Sequence, residues 1–200
     1  MKNLDIQTGT DNPILRAKAK KIVDLQMKVG GKMKAGTTLV LGAFVQNMKK
    51  MMDDEKGLGL AAPQVGQNLR LCLCRLNAGS SNEVLFVMVN PEVLERSDGR
   101  AETDDAIWDP LWGKPKRGSV SPEGTVEIDE EGCLSLPSYY INIARARQAT
   151  VRFLDGGPLL KKGKAFKGEL NELTLQLSGL SARVVQHEID HLNGKLICDK

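Results

Sequence analysis

The chain has only two histidines, and both fall inside one six-residue stretch, Gln186-His187-Glu188-Ile189-Asp190-His191. Leu180, Val184, His187 and His191 recur at spacings of four, three and four, so the stretch reads as helix. On a helix, residues four apart lie on one face about one turn apart. Both imidazoles can then reach a single ion while Glu188 sits beside them without ligating it. This suits hydrolysis, with two nitrogen ligands and a carboxylate placed to take a proton from water at the ion. The bland alternative is a charged helix face with two incidental histidines, and the specificity of the spacing weighs against it.

Two hundred residues, 41% of them hydrophobic, can bury one sizeable core, so a single domain is expected over residues 1–200. A net charge of +3 gives no case for nucleic acid, and no lysine or arginine run suggests a membrane patch. No apolar segment approaches the length of a membrane span, and the opening residues lack both a secretory and a transit character. The expectation is a cytoplasmic protein, or an organellar one after processing. Four cysteines, Cys72, Cys74, Cys133 and Cys198, form no secreted disulfide framework, which points to a reducing compartment. Cys72 and Cys74 sit two apart in an apolar run and are best read as small packing residues.

Taken in order, residues 1 to 35 are polar and lysine-rich, with Asn12-Pro13-Ile14-Leu15 as a short apolar anchor. A helix is expected from near Thr37 or Thr38, with Leu41, Phe44, Val45, Met48, Met51 and Met52 on its core face and Gly57 as its stop. Gly57-Leu58-Gly59-Leu60-Ala61-Ala62-Pro63-Gln64-Val65-Gly66 lacks the ending of a phosphate loop. Its small residues would let a peptide backbone approach closely, or would simply turn the chain from helix to strand. Strands are expected at Arg70 to Leu76, at Glu83 to Val89 with Asn90-Pro91 closing it, at Gln148 to Leu154, and at Glu169 to Leu177. Residues 97–125 hold three prolines, four glycines and both tryptophans, Trp108 and Trp112. Such a stretch is either a lid or a surface insertion.

A catalytic ion usually has three protein ligands and an open position, so two histidines leave it one short. With no third histidine, and only Asp199 as a carboxylate beyond the helix, Cys133 is the better candidate. It lies in Glu131-Gly132-Cys133-Leu134-Ser135-Leu136-Pro137, flanked like an exposed strand edge.

Three stretches, Gly57 to Gln64, Glu131 to Ser135 and Gln186 to His191, resemble the three signature motifs of peptide deformylases, in the same order. The resemblance runs from about Asn12 to Leu196. It implies an α+β fold with antiparallel sheets packed around the HExxH helix. It also implies one divalent metal ion held by Cys133, His187 and His191, with Fe2+ expected physiologically and Zn2+, Ni2+ or Co2+ possible. The substrate would be an N-formylmethionyl peptide, hydrolysed to formate and a free amino terminus. Glu188 would handle the proton, while the Gln64 side-chain amide and the Leu134 backbone N–H would stabilise the oxyanion. Gly59 would hydrogen-bond the substrate backbone, and Leu58, Leu180 and Val184 would wall the methionine pocket. The chain departs from the family pattern in several places. Tyr140 falls where many members carry arginine or another polar residue, and Arg183 falls where aliphatic pocket residues are common. Residues 97–125 lengthen a usually short link. A long basic C-terminal helix is missing, so ribosome contact is expected to be at most transient. Two rival readings are a metallopeptidase or another metal-dependent amidase, sharing the helix but needing no cysteine ligand at Cys133, and a binding protein whose metal is purely structural.

Overall fold

The computed structural model describes residues 4–29, 39–99, 117–121, 123–161, 166 and 168–200. Most of the expected insertion, including Trp108 and Trp112, lies outside the described residues, as do Thr37 and Thr38. The structure begins with the short helix α1 (Pro13–Arg16), which Asn12 caps by accepting a hydrogen bond from the Ile14 N–H. Two residue pairs, β1 (Lys28–Val29) and β2 (Leu39–Val40), form a small antiparallel ladder. Helix α2 (Leu41–Asp54) starts directly after it, with Val40 as N-cap and no side-chain cap. Its buried residues are the six expected from the helical spacing: Leu41, Phe44, Val45, Met48, Met51 and Met52. Lys56, at φ +55, takes the left-handed turn before Gly57 is reached.

Five strands follow in one antiparallel sheet: β3 (Gly59–Ala61), β4 (Leu71–Leu76), β5 (Val84–Arg96), β8 (Gln148–Asp155) and β9 (Glu172–Ser178), paired in that order. Alternation along β4 explains why its sequence is apolar almost throughout. Leu71 and Leu73 join the core under α2, whereas Cys72 and Cys74 face the other way, onto the final helix α3 (Gly179–Leu192). Both cysteines are buried free thiols packed among Val185, Ile189 and Phe153. A strand covered on both faces needs apolar residues at every position.

Strand β5 does not stop at Asn90-Pro91. It runs seven residues beyond Val89, through a register shift between Val89 and Glu92. Asn90 adopts φ +53, which asparagine tolerates better than most residues. Its side chain accepts from the Ile22 N–H and donates to the Ile22 carbonyl, each at 2.8 Å. Pro91, which has no N–H to offer a ladder, sits at this irregularity, where proline is tolerated in a sheet.

Two further strands, β6 (Val126–Cys133) and β7 (Leu136–Ala146), pair with each other as a separate two-stranded sheet. Helix α3 contacts β3, β4, β7, β8 and β9. It ends at Leu192 with Asn193 as C-cap, and the next residue, Gly194, lies at φ +75 with the Arg16 carbonyl oxygen close to where a Cβ would stand. Gly194→Ala is therefore expected to lower stability by at least about 1–2 kcal/mol, the left-handed penalty alone. Thermal unfolding checks this, and an unchanged melting temperature would contradict it.

Candidate metal and catalytic site

The site is built where two separately folded pieces meet. Helix α3 presents His187 and His191 one turn apart, with ring centroids 5.0 Å from each other. The end of β6 presents Cys133. The sulfur and one nitrogen from each ring all lie within 4.8 Å of one another, and Sγ is 3.2 Å from His191 Nε2. Donors at the usual 2.0–2.3 Å around a tetrahedral cation stand roughly 3.3–3.8 Å apart, so the cluster is close to the required size.

The surrounding groups favour a cation. His187 Nδ1 is 2.9 Å from Glu131 Oε2, which commits that nitrogen and leaves Nε2 as the donor toward the cluster. Burial works to lower the His187 pKa. Its hydrogen bonds to Cys133 and Glu131, aided by the charges of Glu131 and Glu188, outweigh burial and hold the pKa well above the ordinary histidine value. His191 moves the other way, well below the ordinary value, through burial and then the charge of His187. A partly buried thiol with two imidazoles, one already oriented by a carboxylate, fits a divalent transition metal.

Glu188 is 3% exposed, and its Oε2 is buried with no hydrogen-bond partner. Burial pushes its carboxyl up to about 7. An ordinary solvated carboxyl would sit near 4.3. A carboxylate that holds and releases a proton near neutrality is what general acid–base work requires. Gly59 makes room for it: a Cβ there would stand 2.2 Å from Glu188 Oε1 and 2.6 Å from Cδ. Gly59→Ala must displace the carboxylate, and a misplacement of about 1 Å costs on the order of 100-fold in rate. The expected result is a fall in kcat of that size with metal content unchanged. A variant at wild-type kcat would refute the tight seat.

Gln64 is 2% exposed and its orientation is fixed. Oε1 accepts from the Ala61 N–H at 2.8 Å, which directs the NH2 end toward Cys133, with Nε2 3.7 Å from Sγ. Leu134 follows Cys133 in the turn between β6 and β7 and lines the same cleft of about 500 Å³. Leu58, Gly59, Gln64, Cys133, Val184, His187 and Glu188 line it as well. Leu180, 49% exposed, stands at the mouth with Tyr139 and Tyr140. Gly59 lies on β3, the outermost strand of its sheet, so one side of that strand is unpaired among the described residues.

Behind the cleft is a set of partners that spacing alone does not reveal. Glu131 accepts from Arg145 Nε at 2.5 Å and from Nη2 at 2.8 Å. Arg145 in turn reaches Asp190 at 2.7 Å. Burial works to raise the Glu131 pKa, but Arg145 outweighs it and holds the carboxyl well below its usual range. Glu131 and Asp190 flank the metal-type residues in sequence, and that adjacency is the one local signal of their part. Arg145 gives none, because its approach to Glu131 depends on the twist of the β6–β7 pair. Across that pair its direct register partner is Glu127.

A family model described as polypeptide deformylase matches residues 5–200. The chain belongs to that family. A peptide deformylase from Halothermothrix orenii is 33% identical over 189 residues, covering 94% of this chain and 88% of the relative. One from Thermodesulfovibrio yellowstonii is 34% identical over 160 residues, covering 80% and 73%. Among solved deformylase structures, that from Thermotoga maritima matches with a TM-score of 0.65 and 27% identity over 98% of this chain and 96% of its own. A class I type b peptide deformylase from Acinetobacter baumannii, solved with Met-Ala-Ser bound, matches at 0.64 and 25% over the same shares. The deformylase fold, with few helices set against β-sheet, is thus common to this chain and its relatives. No helix among the described residues is long and apolar enough to cross a membrane.

Proposed function

We propose that Cys133, His187 and His191 hold one divalent cation, and that Glu188, Gln64 and Leu134 act on a formylated amino terminus laid beside strand β3. The reaction of the chain is removal of the N-formyl group from newly synthesised polypeptides, with release of formate. One observation carries the assignment of roles. Three metal-type donors converge in a cleft beside a buried carboxylate that has one oxygen unused.

Held by Cys133, His187 and His191, a divalent cation would supply Lewis acidity that makes water more acidic. Glu188 accepts a proton from the attacking water as the new C–O bond forms. It returns that proton to the amine nitrogen as the C–N bond breaks, leaving formate and a free amino terminus. Gln64 Nε2 and the Leu134 N–H donate to the developing oxyanion, and Gln64 suits the task because Ala61 already occupies its carbonyl end. The substrate backbone adds as a strand along the unpaired side of β3 at Gly59, while Leu58, Leu180 and Val184 enclose the methionine side chain.

The thiolate donor suits Fe2+ as the working ion, and Zn2+, Ni2+ or Co2+ can take the same donors. Residues 1–200 act as one catalytic unit with helix α3 at its centre, working in the cytoplasm or in an organelle. The test is formate release from formyl-Met-Ala-Ser by protein loaded anaerobically with Fe2+. Formate equal to the free amine produced is expected. Cleavage of internal bonds without formate would favour the peptidase reading, and tight metal binding with no turnover would favour a structural ion.

A further inference from the structure

We infer that Arg183 is a positioning residue. Its guanidinium fixes the β6–β7 pair, which carries Cys133, on helix α3, which carries both histidines, and so sets how closely sulfur and nitrogen meet. This rests on the metal reading above and extends it to a side chain that, from its place on the helix, would be taken for a wall of the pocket.

The need for such a residue follows from the topology. Among the described residues, β6 and β7 pair with each other and not with the five-stranded sheet, so no backbone ladder ties Cys133 to the rest of the site. Apolar contacts hold the pair close, with Leu136 and Ile143 packed on Leu15, Leu196 and Ile197. Such contacts are non-directional, so they resist separation better than sliding. Directional bonds must set the position.

Arg183 supplies three of them. Nη1 donates to Glu131 Oε1 at 2.8 Å and to the Ile143 carbonyl at 3.0 Å, and Nη2 donates to the Glu127 carbonyl at 2.7 Å. One side chain from α3 therefore grips β6 twice and β7 once. Although it lines the cleft, it is 8% exposed and spends its donors inward. Arg145 returns a bond from β7 to Asp190 on α3, and Gln186 donates to the Ala146 carbonyl at 2.9 Å. Glu131 is the shared node, because the carboxylate held by Arg183 through Oε1 orients His187 through Oε2. A planar guanidinium reaches three acceptors in fixed directions, which a lysine ammonium on a flexible stem does not reproduce.

The experiment loads wild type, Arg183→Met and Arg183→Lys with Co2+, then follows the thiolate-to-cobalt charge-transfer band and the rate of cobalt release to a chelator. KM for formyl-Met-Ala-Ser is measured alongside. The expected result for Arg183→Met is a weakened thiolate band and release faster by about 10- to 100-fold, as for other groups that support metal ligands. Arg183→Lys should fall between it and wild type, with KM little changed. Wild-type band and release in both variants overturn the inference, whether the variants only melt earlier or only bind substrate less well. If Arg183→Met fails to fold, Arg183→Lys decides by the same two readings. Wild-type protein that fails to retain cobalt overturns the metal reading, and this inference with it.

Discussion

Glu188→Ala is expected to keep its metal and lose on the order of 10²- to 10⁴-fold in turnover, the range over which positioned general acids and bases act. The side chain does not belong to the donor cluster, so removing it leaves Cys133, His187 and His191 in place. What is lost is a proton carrier already tuned by its surroundings. Burial brings the carboxyl up to about 7, so it binds a proton in one half of the reaction and gives it up in the other at little cost. The close seat of Gly59 against Glu188 means that the alanine variant also opens space in the cleft. A water in that space can recover part of the rate, which places the effect within the range given and not above it. Metal content measured beside kcat separates the two roles. Near-normal deformylation with full metal would refute proton transfer by Glu188, and loss of the metal would make it a ligand instead.

Cys133→Ser carries the second large effect. A serine hydroxyl is a hard and poorly ionised donor, so replacing the thiol exchanges the softest ligand of the set for one that must be deprotonated against a far higher pKa. The remaining pair of imidazoles sits on one helix face and cannot enclose an ion alone. Metal retained after dialysis should fall from about one equivalent to a small fraction, and turnover should fall with it. The fold should survive, because Cys133 is only partly buried at the edge of a core cluster whose buried members are Leu15, Leu136, Ile143, Leu196 and Ile197. Full retention of iron or zinc by the serine variant would rule out sulfur as a necessary donor.

Several parts of this picture are legible in the sequence because they are local. The six buried residues of α2 follow from helical spacing, and α3 follows from the spacing that carries both histidines. The proximity of Cys133 to those histidines is legible only by joining separate stretches, since nothing local links positions 58 residues apart. Elsewhere local rules mislead. Asn90-Pro91 reads as a strand end, yet the strand continues through a register shift at which the proline needs no ladder bond, while the asparagine backbone donates to the Arg70 carbonyl and its side chain pairs with the Ile22 backbone. Arg183 reads as a departure at a pocket wall, yet its donors are spent on acceptors of β6 and β7. In the Glu131–Arg145–Asp190 chain only the adjacency of the two carboxylates to the metal-type residues is legible, and the pairing through Arg145 is not. Burying those charges is tolerable only when each is paired, and the pairing is fixed by strand register and twist, which composition and spacing do not encode.

The most direct measurement is X-ray absorption at the metal edge of protein loaded with one equivalent of zinc or cobalt. The expected first shell holds one sulfur at about 2.3 Å and two imidazole nitrogens at about 2.0–2.1 Å, with a further light atom from solvent. A shell without sulfur, or one closed by four protein donors, would contradict the site described here.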